Sequence, residues 1–434
     1  MNEVTIGIIG LLVVLVLFLT GIELAFAMIL IGFLGFGYLI SWNAALNLLA
    51  KDFYDVLNSY GFTVIPLFVL MGQVAFNSGI AKRLFDTSYK FIGHIPGGLA
   101  MATVAGATAF KSICGSSPAT AATFASVAVP EMDRYGYDKR LSTGIVATVG
   151  TLGILLPPSV TLIIYGIITD QSIGRLFLAG IFPGLLIALF FIGVIYGWCK
   201  MNPAVGPKGE RSTWGERIRS IPEVMWVVLI FFLVIGGILQ GIFTPTEAGS
   251  VGTFLVLILT FIRRDLNLKG YVKSAVESIR TACMVILLIA GSTVLGHFIA
   301  VTKIPMITAD WIVGLQVPSW TILLMIAVIY LIGGSFIDDL AFMILATPIF
   351  YPAIIKLGYN PLWFGILIGI TVMIGVVIPP MAICVFVVKQ ITKTPFSVVY
   401  AGVYPFLISL AVGGIIVFLF PPIATWLPGW LMPG

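Results

Sequence analysis

The chain has 434 residues, of which 59% are hydrophobic and 9% charged, with 23 Lys and Arg against 18 Asp and Glu. Soluble domains carry roughly a quarter charged residues, so these side chains cannot cover a body of 46.7 kDa. A soluble globular fold is excluded, and the apolar surface must face lipid. In hydrocarbon only helices and closed barrels satisfy their own backbone. The apolar runs are long and continuous, without the alternation of barrel strands, so the expected fold class is an all-α integral membrane protein.

Four separated cysteines (Cys114, Cys199, Cys283, Cys384) and two histidines (His94, His297) argue against a haem, a zinc site or an iron–sulfur cluster. The histidines read as packed or interfacial polar residues. No phosphate-binding G-x-x-x-x-G-K-[ST] occurs, and no nucleic-acid partner or organic cofactor is expected. The N-terminal apolar run lacks a basic flank and continues past Glu23 into a second run, unlike a cleavable signal.

A crossing needs about 20 apolar residues. In chain order the candidates lie near 4–20, 22–40, 60–77, 97–113, 142–169, 176–198, 223–241, 246–262, 281–300, 319–335, 362–391 and 398–420. This gives about 11–12 transmembrane helices. The polar segment 78–96 reads as a helix lying flat at the interface. The stretch 199–222 carries Lys200, Lys208, Arg211, Arg217 and Arg219 and reads as a cytoplasmic loop. Arg263, Arg264, Lys269 and Lys273 mark a second basic edge.

Sliding the chain by 222 residues superposes Pro130 on Pro352, Gly136 on Gly358, Tyr137 on Tyr359 and Gly153 on Gly375. Pro157 and Pro158 fall on Pro379 and Pro380, and Ala179, Gly180 and Pro183 fall on Ala401, Gly402 and Pro405. Seven of these nine identities involve Gly or Pro, which fix backbone shape, and internal repeats are how many transporters are built. The expected organisation is a first repeat at 1–198, a polar linker at 199–222 and a second repeat at 223–434. Within them, 1–96 and 223–318 are scaffold helices, while 97–198 and 319–420 each hold a hairpin and a broken helix.

Two anomalies recur. In the first half, residues 111–132 place Gly115, Ser116, Ser117, Pro118 and Thr120 inside an apolar run, which reads as a re-entrant hairpin. Irregular backbone at membrane depth survives only when buried or lining a cavity. In the second half Ser335, Asp338 and Asp339 hold the corresponding place. The other anomaly is Gly153 followed by Pro157-Pro158, matched by Gly375 followed by Pro379-Pro380. Two prolines free carbonyls one turn earlier, which a cation could take, while the next half-helix offers N–H groups suited to a carboxylate. A hairpin tip facing a broken helix, twice, suits binding of ions and a small solute near the midplane.

Blander readings stand beside these. A single Pro-Pro is usually a kink, although its recurrence at one repeat position favours a functional break. Ser116, Ser117 and Thr120 could be small residues for close helix packing. Asp338 and Asp339 are functional by default if intramembrane, and inexpensive if they sit at an interfacial hairpin base. Glu247 reads as part of a helix cap with Thr244 or Thr246.

The segments GSSPATAATFASVAVP, LGILLPPS, TPTEAG, IPPMAICVFV and AGIFPG resemble the large membrane subunit of the tripartite ATP-independent periplasmic (TRAP) transporters, from about Val4 to Pro422. The resemblance implies an elevator-type carrier with two inverted repeats in the cytoplasmic (inner) membrane of a bacterium or archaeon. It implies sodium-coupled import of a small organic acid. The partners would be a small four-helix membrane subunit and a periplasmic solute-binding protein. It also implies ion sites around Ser116 and Ser117, Gly153–Pro158, Ser335–Asp339 and Gly375–Pro380. Many members carry an Asn before the second break. This chain has Gly369, Ile370 and Thr371 there, and Thr371 is the candidate ligand.

Inverted repeats need an odd number of crossings between equivalent points, and the candidates number six between the hairpins, so one of them is not a crossing. Competing functions are a proton-coupled organic-anion carrier relaying through Asp338 or Asp339, a membrane enzyme, and a channel. The lack of a Cys/His cluster or a Ser–His–Asp arrangement argues against an enzyme, and paired ligand-like sites fit a carrier better than a pore.

Overall fold

The computed structural model describes residues 2–380 and 382–432. Among them all regular structure is helical. The first half comprises α1 (Glu3–Leu19), α2 (Leu24–Leu39), α3 (Trp42–Asn58), α4 (Val64–Asn77), α5 (Ile80–Ile92), α6 (Gly98–Lys111), α7 (Ser117–Arg134), α8 (Lys139–Val149), α9 (Val160–Ile168) and α10 (Ile173–Met201). The second comprises α11 (Trp214–Leu239), α12 (Pro245–Ile262), α13 (Leu268–Val301), α14 (Ile304–Gly314), α15 (Ser319–Phe336), α16 (Asp339–Lys356), α17 (Pro361–Gly375), α18 (Ile383–Thr392), α19 (Phe396–Leu419) and α20 (Pro422–Leu431). Eight helical segments are long and apolar enough to cross a membrane, and α1, α2, α17 and α18 are shorter apolar helices. The chain is therefore an all-helical, multi-pass membrane protein.

The shift of 222 residues carries α7 onto the bounds of α16, and the start of α8 onto the start of α17. The residues before those starts, Asp138 and Asn360, both cap their helices through side-chain oxygens. Gly136 and Gly358, in the turns leading to them, have φ of 73° and 76°, a left-handed conformation that only glycine adopts freely. The match lapses where half two runs α13 unbroken over 34 residues while half one interrupts the equivalent stretch between α3 and α4.

Two of the apolar runs pair with the helix that follows them. The runs at 97–113 and 319–335 are α6 and α15, the first limbs of hairpins whose second limbs are α7 and α16. A limb packed among helices is as apolar as one facing lipid, so hydropathy does not separate them; α6 is buried along most of its length. Without 319–335, five apolar units lie between the hairpins: α8 with α9, α10, α11, α12 and α13. The polar linker also shortens. A capping box between Thr213 and Glu216 starts α11 inside the stretch read as loop. The remaining loop is strapped under the first hairpin by Gly97 N to Gly206 O (2.9 Å) and Asp138 N to Val205 O (3.0 Å).

The helices α3, α14 and α20 fall outside the sequence-based crossings. On α3, Asp52 is buried and meets His297 Nε2 of α13 at 3.2 Å. The segment 78–96 contains α5, a short amphipathic helix that buries Ile80, Leu84 and Phe85. Its Arg83 binds Asp265 through two hydrogen bonds of 2.9 and 2.6 Å, joining the halves.

Packing groups helices from both halves. α13 packs along α2 and α4, and α12 packs along α4. In a second group, α19 packs along α8, α18 along α7, and α17 along α15. The close approach of α8 and α19 depends on Gly402, where a Cβ would stand 1.8 Å from the Arg140 carbonyl oxygen.

Candidate functional site

The first hairpin turns through residues 112–116, between α6 and α7. Ser116 caps α7, its Oγ accepting from Ala119 N at 3.3 Å, and Pro118 sits in the first turn, where a missing N–H leaves no gap. Thr120 is fully buried and donates its hydroxyl to Ser116 O at 3.0 Å. Gly115 lies directly on the first break, since a Cβ there would stand 2.6 Å from Pro158 O.

That break is real. Regular α-helix ends at Val149, a short 3-10 segment reaches Ile154, and α9 begins at Val160. Pro158 cannot donate to Ile154 O, the acceptor four residues earlier. The Ser159 hydroxyl takes that carbonyl at 2.7 Å and accepts from Leu162 N at 3.3 Å. This freed carbonyl thus has a hydrogen-bond partner within the chain. Gly153, Pro157 and Pro158 are all buried. Gly153 faces Lys111 of α6, whose Nζ would lie 2.2 Å from a Cβ at that position.

The second hairpin turns more tightly, through Ile337 and Asp338. Asp338 caps α16, its Oδ1 accepting from Leu340 N at 3.2 Å and Ala341 N at 3.4 Å. Ser335 is buried in α15 with its hydroxyl on Ile332 O at 2.7 Å. The second break runs from the end of α17 at Gly375 to the start of α18 at Ile383. A Cβ on Gly375 would stand 2.8 Å from Gly334 C and 3.1 Å from Ser335 N, so this hairpin also rests on its break. Unlike the first pair, Pro379 and Pro380 are exposed.

The two tips meet at a cavity of 280 Å³. From the hairpins come Gly115, Ser116, Ser117, Pro118, Asp338 and Asp339. Val160 and Thr161 open α9 onto it, and Gln73 of α4 and Thr281 of α13 face it from the other helix group. The cavity therefore sits at the seam between the groups. The first turns of α7, α9 and α16 all border it, bringing three helix N-termini, each a partial positive charge, beside two carboxylates.

The remaining predicted residues lie elsewhere. Gly153, Pro157 and Pro158 stand behind the first tip, and Ser335 and Gly375 behind the second. Thr120 is turned into its own helix. Thr371 bonds Ile368 O at 2.8 Å and borders a separate, almost wholly apolar cavity of 770 Å³ with Trp320 and Phe418. Sequence reasoning missed Gln73, Thr281 and Lys111. Gln73 and Lys111 are polar residues in apolar helices, which was the available signal, whereas Thr281 directly follows the charged stretch of α13 that holds Glu277 and Arg280.

The chain matches the family described as "Tripartite ATP-independent periplasmic transporter, DctM component" over residues 11–423. It belongs to that family. A C4-dicarboxylate TRAP transporter large permease protein of Pseudomonas aeruginosa is 35% identical over 88% of this chain and 90% of its own length. An ectoine TRAP transporter large permease protein of Halomonas elongata is 33% identical over 95% and 96%. A sialic acid TRAP transporter permease protein of Haemophilus influenzae is 32% identical over 98% of this chain and 68% of its own. Among solved structures, the YdaH transporter of Alcanivorax borkumensis shares the fold, with a TM-score of 0.58 at 13% identity over 87% and 88% of the chains. This TRAP permease is thus a transport protein, one component of a tripartite system, and not an enzyme. Its relatives differ in the solute they are named for.

Proposed function

We propose that this TRAP permease imports a small organic acid together with sodium ions, through the cavity between the hairpin tips. The observation that carries this reading is the meeting of Asp338 and Asp339 with the N-termini of α7 and α9 at one seam. Helix N-termini suit a carboxylate. Two carboxylates repel an anion, by roughly 1 kcal/mol even across 4 Å of water and more in a drier site. Cations entering with the solute remove that repulsion, so the site favours joint binding. C4-dicarboxylates, sialic acid and ectoine, named for the relatives, all bear a carboxylate.

In this reading α2, α4, α12 and α13 form the fixed scaffold, and the hairpins and broken helices move against it as an elevator. The five apolar units between the hairpins agree with inverted repeats. The partners are a small membrane subunit on the apolar scaffold surface and a periplasmic solute-binding protein that delivers the acid. Uptake by proteoliposomes holding this chain with both partners tests the coupling. It should rise steeply with external sodium and vanish without it. Uptake that persists without sodium under a pH gradient would overturn this and favour a proton carrier, the reading that the two cavity carboxylates also permit.

A further inference from the structure

Lys111 is fully buried at the end of α6 and does not border the cavity. Its Nζ donates to Ser116 O at 2.8 Å and lies against the Cα of Gly153. The same carbonyl accepts from Thr120 N at 3.2 Å and Thr120 Oγ1 at 3.0 Å. The ammonium thus fills the gap between the first hairpin tip and the first break. Gly153 has room for it only because it lacks a side chain. The tip that Lys111 bonds to, through Ser116, borders the same cavity as Asp339 of the second hairpin. Half two has no counterpart. The position 222 residues on is Gly333, and there Gly375 packs against the hairpin backbone itself.

A packing role alone would be filled by Leu or Met without desolvating a charge. Contact with solute is ruled out by burial behind the tip. What remains is a cation set among backbone oxygen and small residues, where a bare monovalent ion would otherwise balance the charge of the second hairpin. We propose that the Lys111 ammonium is a resident cation at the junction of the first hairpin and first break, and that it takes the place of one sodium ion. Resting on the sodium-coupled reading above, this means that the chain binds one sodium fewer than the same site would without the lysine.

Sodium bound to the purified permease with its membrane partner is counted by equilibrium dialysis against radioactive sodium. Lys111→Ala opens the gap and should bind one ion more per chain than the wild type. Lys111→Met fills the gap without charge and should keep the wild-type number. An unchanged count in Lys111→Ala, or an extra ion in Lys111→Met, overturns the proposal. Recovery of folded Lys111→Ala only in sodium buffer supports it, and failure to recover it with or without sodium overturns it. A wild type that binds none while Lys111→Ala binds one would sink sodium coupling and leave the ammonium assignment standing. None in either defeats both.

Discussion

Gly115 and Pro158 touch: the first hairpin is seated on the carbonyl of the first break, with only 2.6 Å between that oxygen and the place a Cβ would take. Backbone cannot retreat there, because Pro158 and its neighbours are themselves buried. Gly115→Ala should lift the tip and distort the cavity. Uptake is expected to fall at least tenfold with the protein still inserted and monodisperse. Uptake at the wild-type rate would contradict the contact.

The proline pairs give a second expectation. Replacing Pro157 and Pro158 with Ala restores two N–H donors and lets helix form through the break. The hairpin then loses its seat, so sodium-dependent uptake should be lost while expression is kept. Because Pro379 and Pro380 are exposed, the same change there should leave thermal stability closer to wild type. Normal transport by both double variants would reduce the breaks to kinks.

Asp338 is both a cavity residue and a helix cap. Asp338→Ala should cost about 1 kcal/mol of local stability, seen as faster hydrogen exchange at Leu340 and Ala341. Asp338→Asn retains a capping oxygen and should restore protection without restoring transport. Restored transport would mean that the charge is dispensable.

Asp138 caps α8 beside the polar linker loop, its N–H on Val205 O, and the Arg140 side chain bonded to it, with the Arg140 N–H, holds its carboxyl below the usual 3.8. A depressed carboxylate stabilises the fold above its unfolded value and loses that contribution as pH falls through the folded one. The thermal stability of wild type should therefore fall below about pH 4. Asp138→Ala should start less stable by about 1 kcal/mol and show a shallower acid decline. Parallel acid curves for the two proteins would refute this.

Much of the plan was legible because Gly and Pro report backbone shape without reference to neighbours. The repeat register found from Gly136, Gly153 and Pro157-Pro158 matches helix bounds along nearly the whole chain. The Thr244–Glu247 cap was legible for the same local reason. Tertiary partners were not. Nothing local in the apolar run 319–335 announces that it packs back on the helix after it. The Ser159 hydroxyl that claims Ile154 O lies next to the prolines in sequence, yet only the fold shows which carbonyl it reaches. Thr371 was placed by resemblance, and its hydroxyl turns back on its own helix. Gln73 and Thr281 became site residues only when α4 and α13 were brought to the seam.

The unequal surroundings of the two Pro-Pro pairs have a thermodynamic meaning. One break is sheathed by protein and the other is open, though both follow one backbone plan. In a carrier of the kind proposed above, exchanging those surroundings would bury Pro379 and Pro380 and uncover Pro157 and Pro158, with the Lys111 contact lacking an equivalent in the other half. Near-degeneracy of two such conformers is what a cycling machine needs. Neither becomes a trap, and a difference in binding of a few kcal/mol is enough to choose between them.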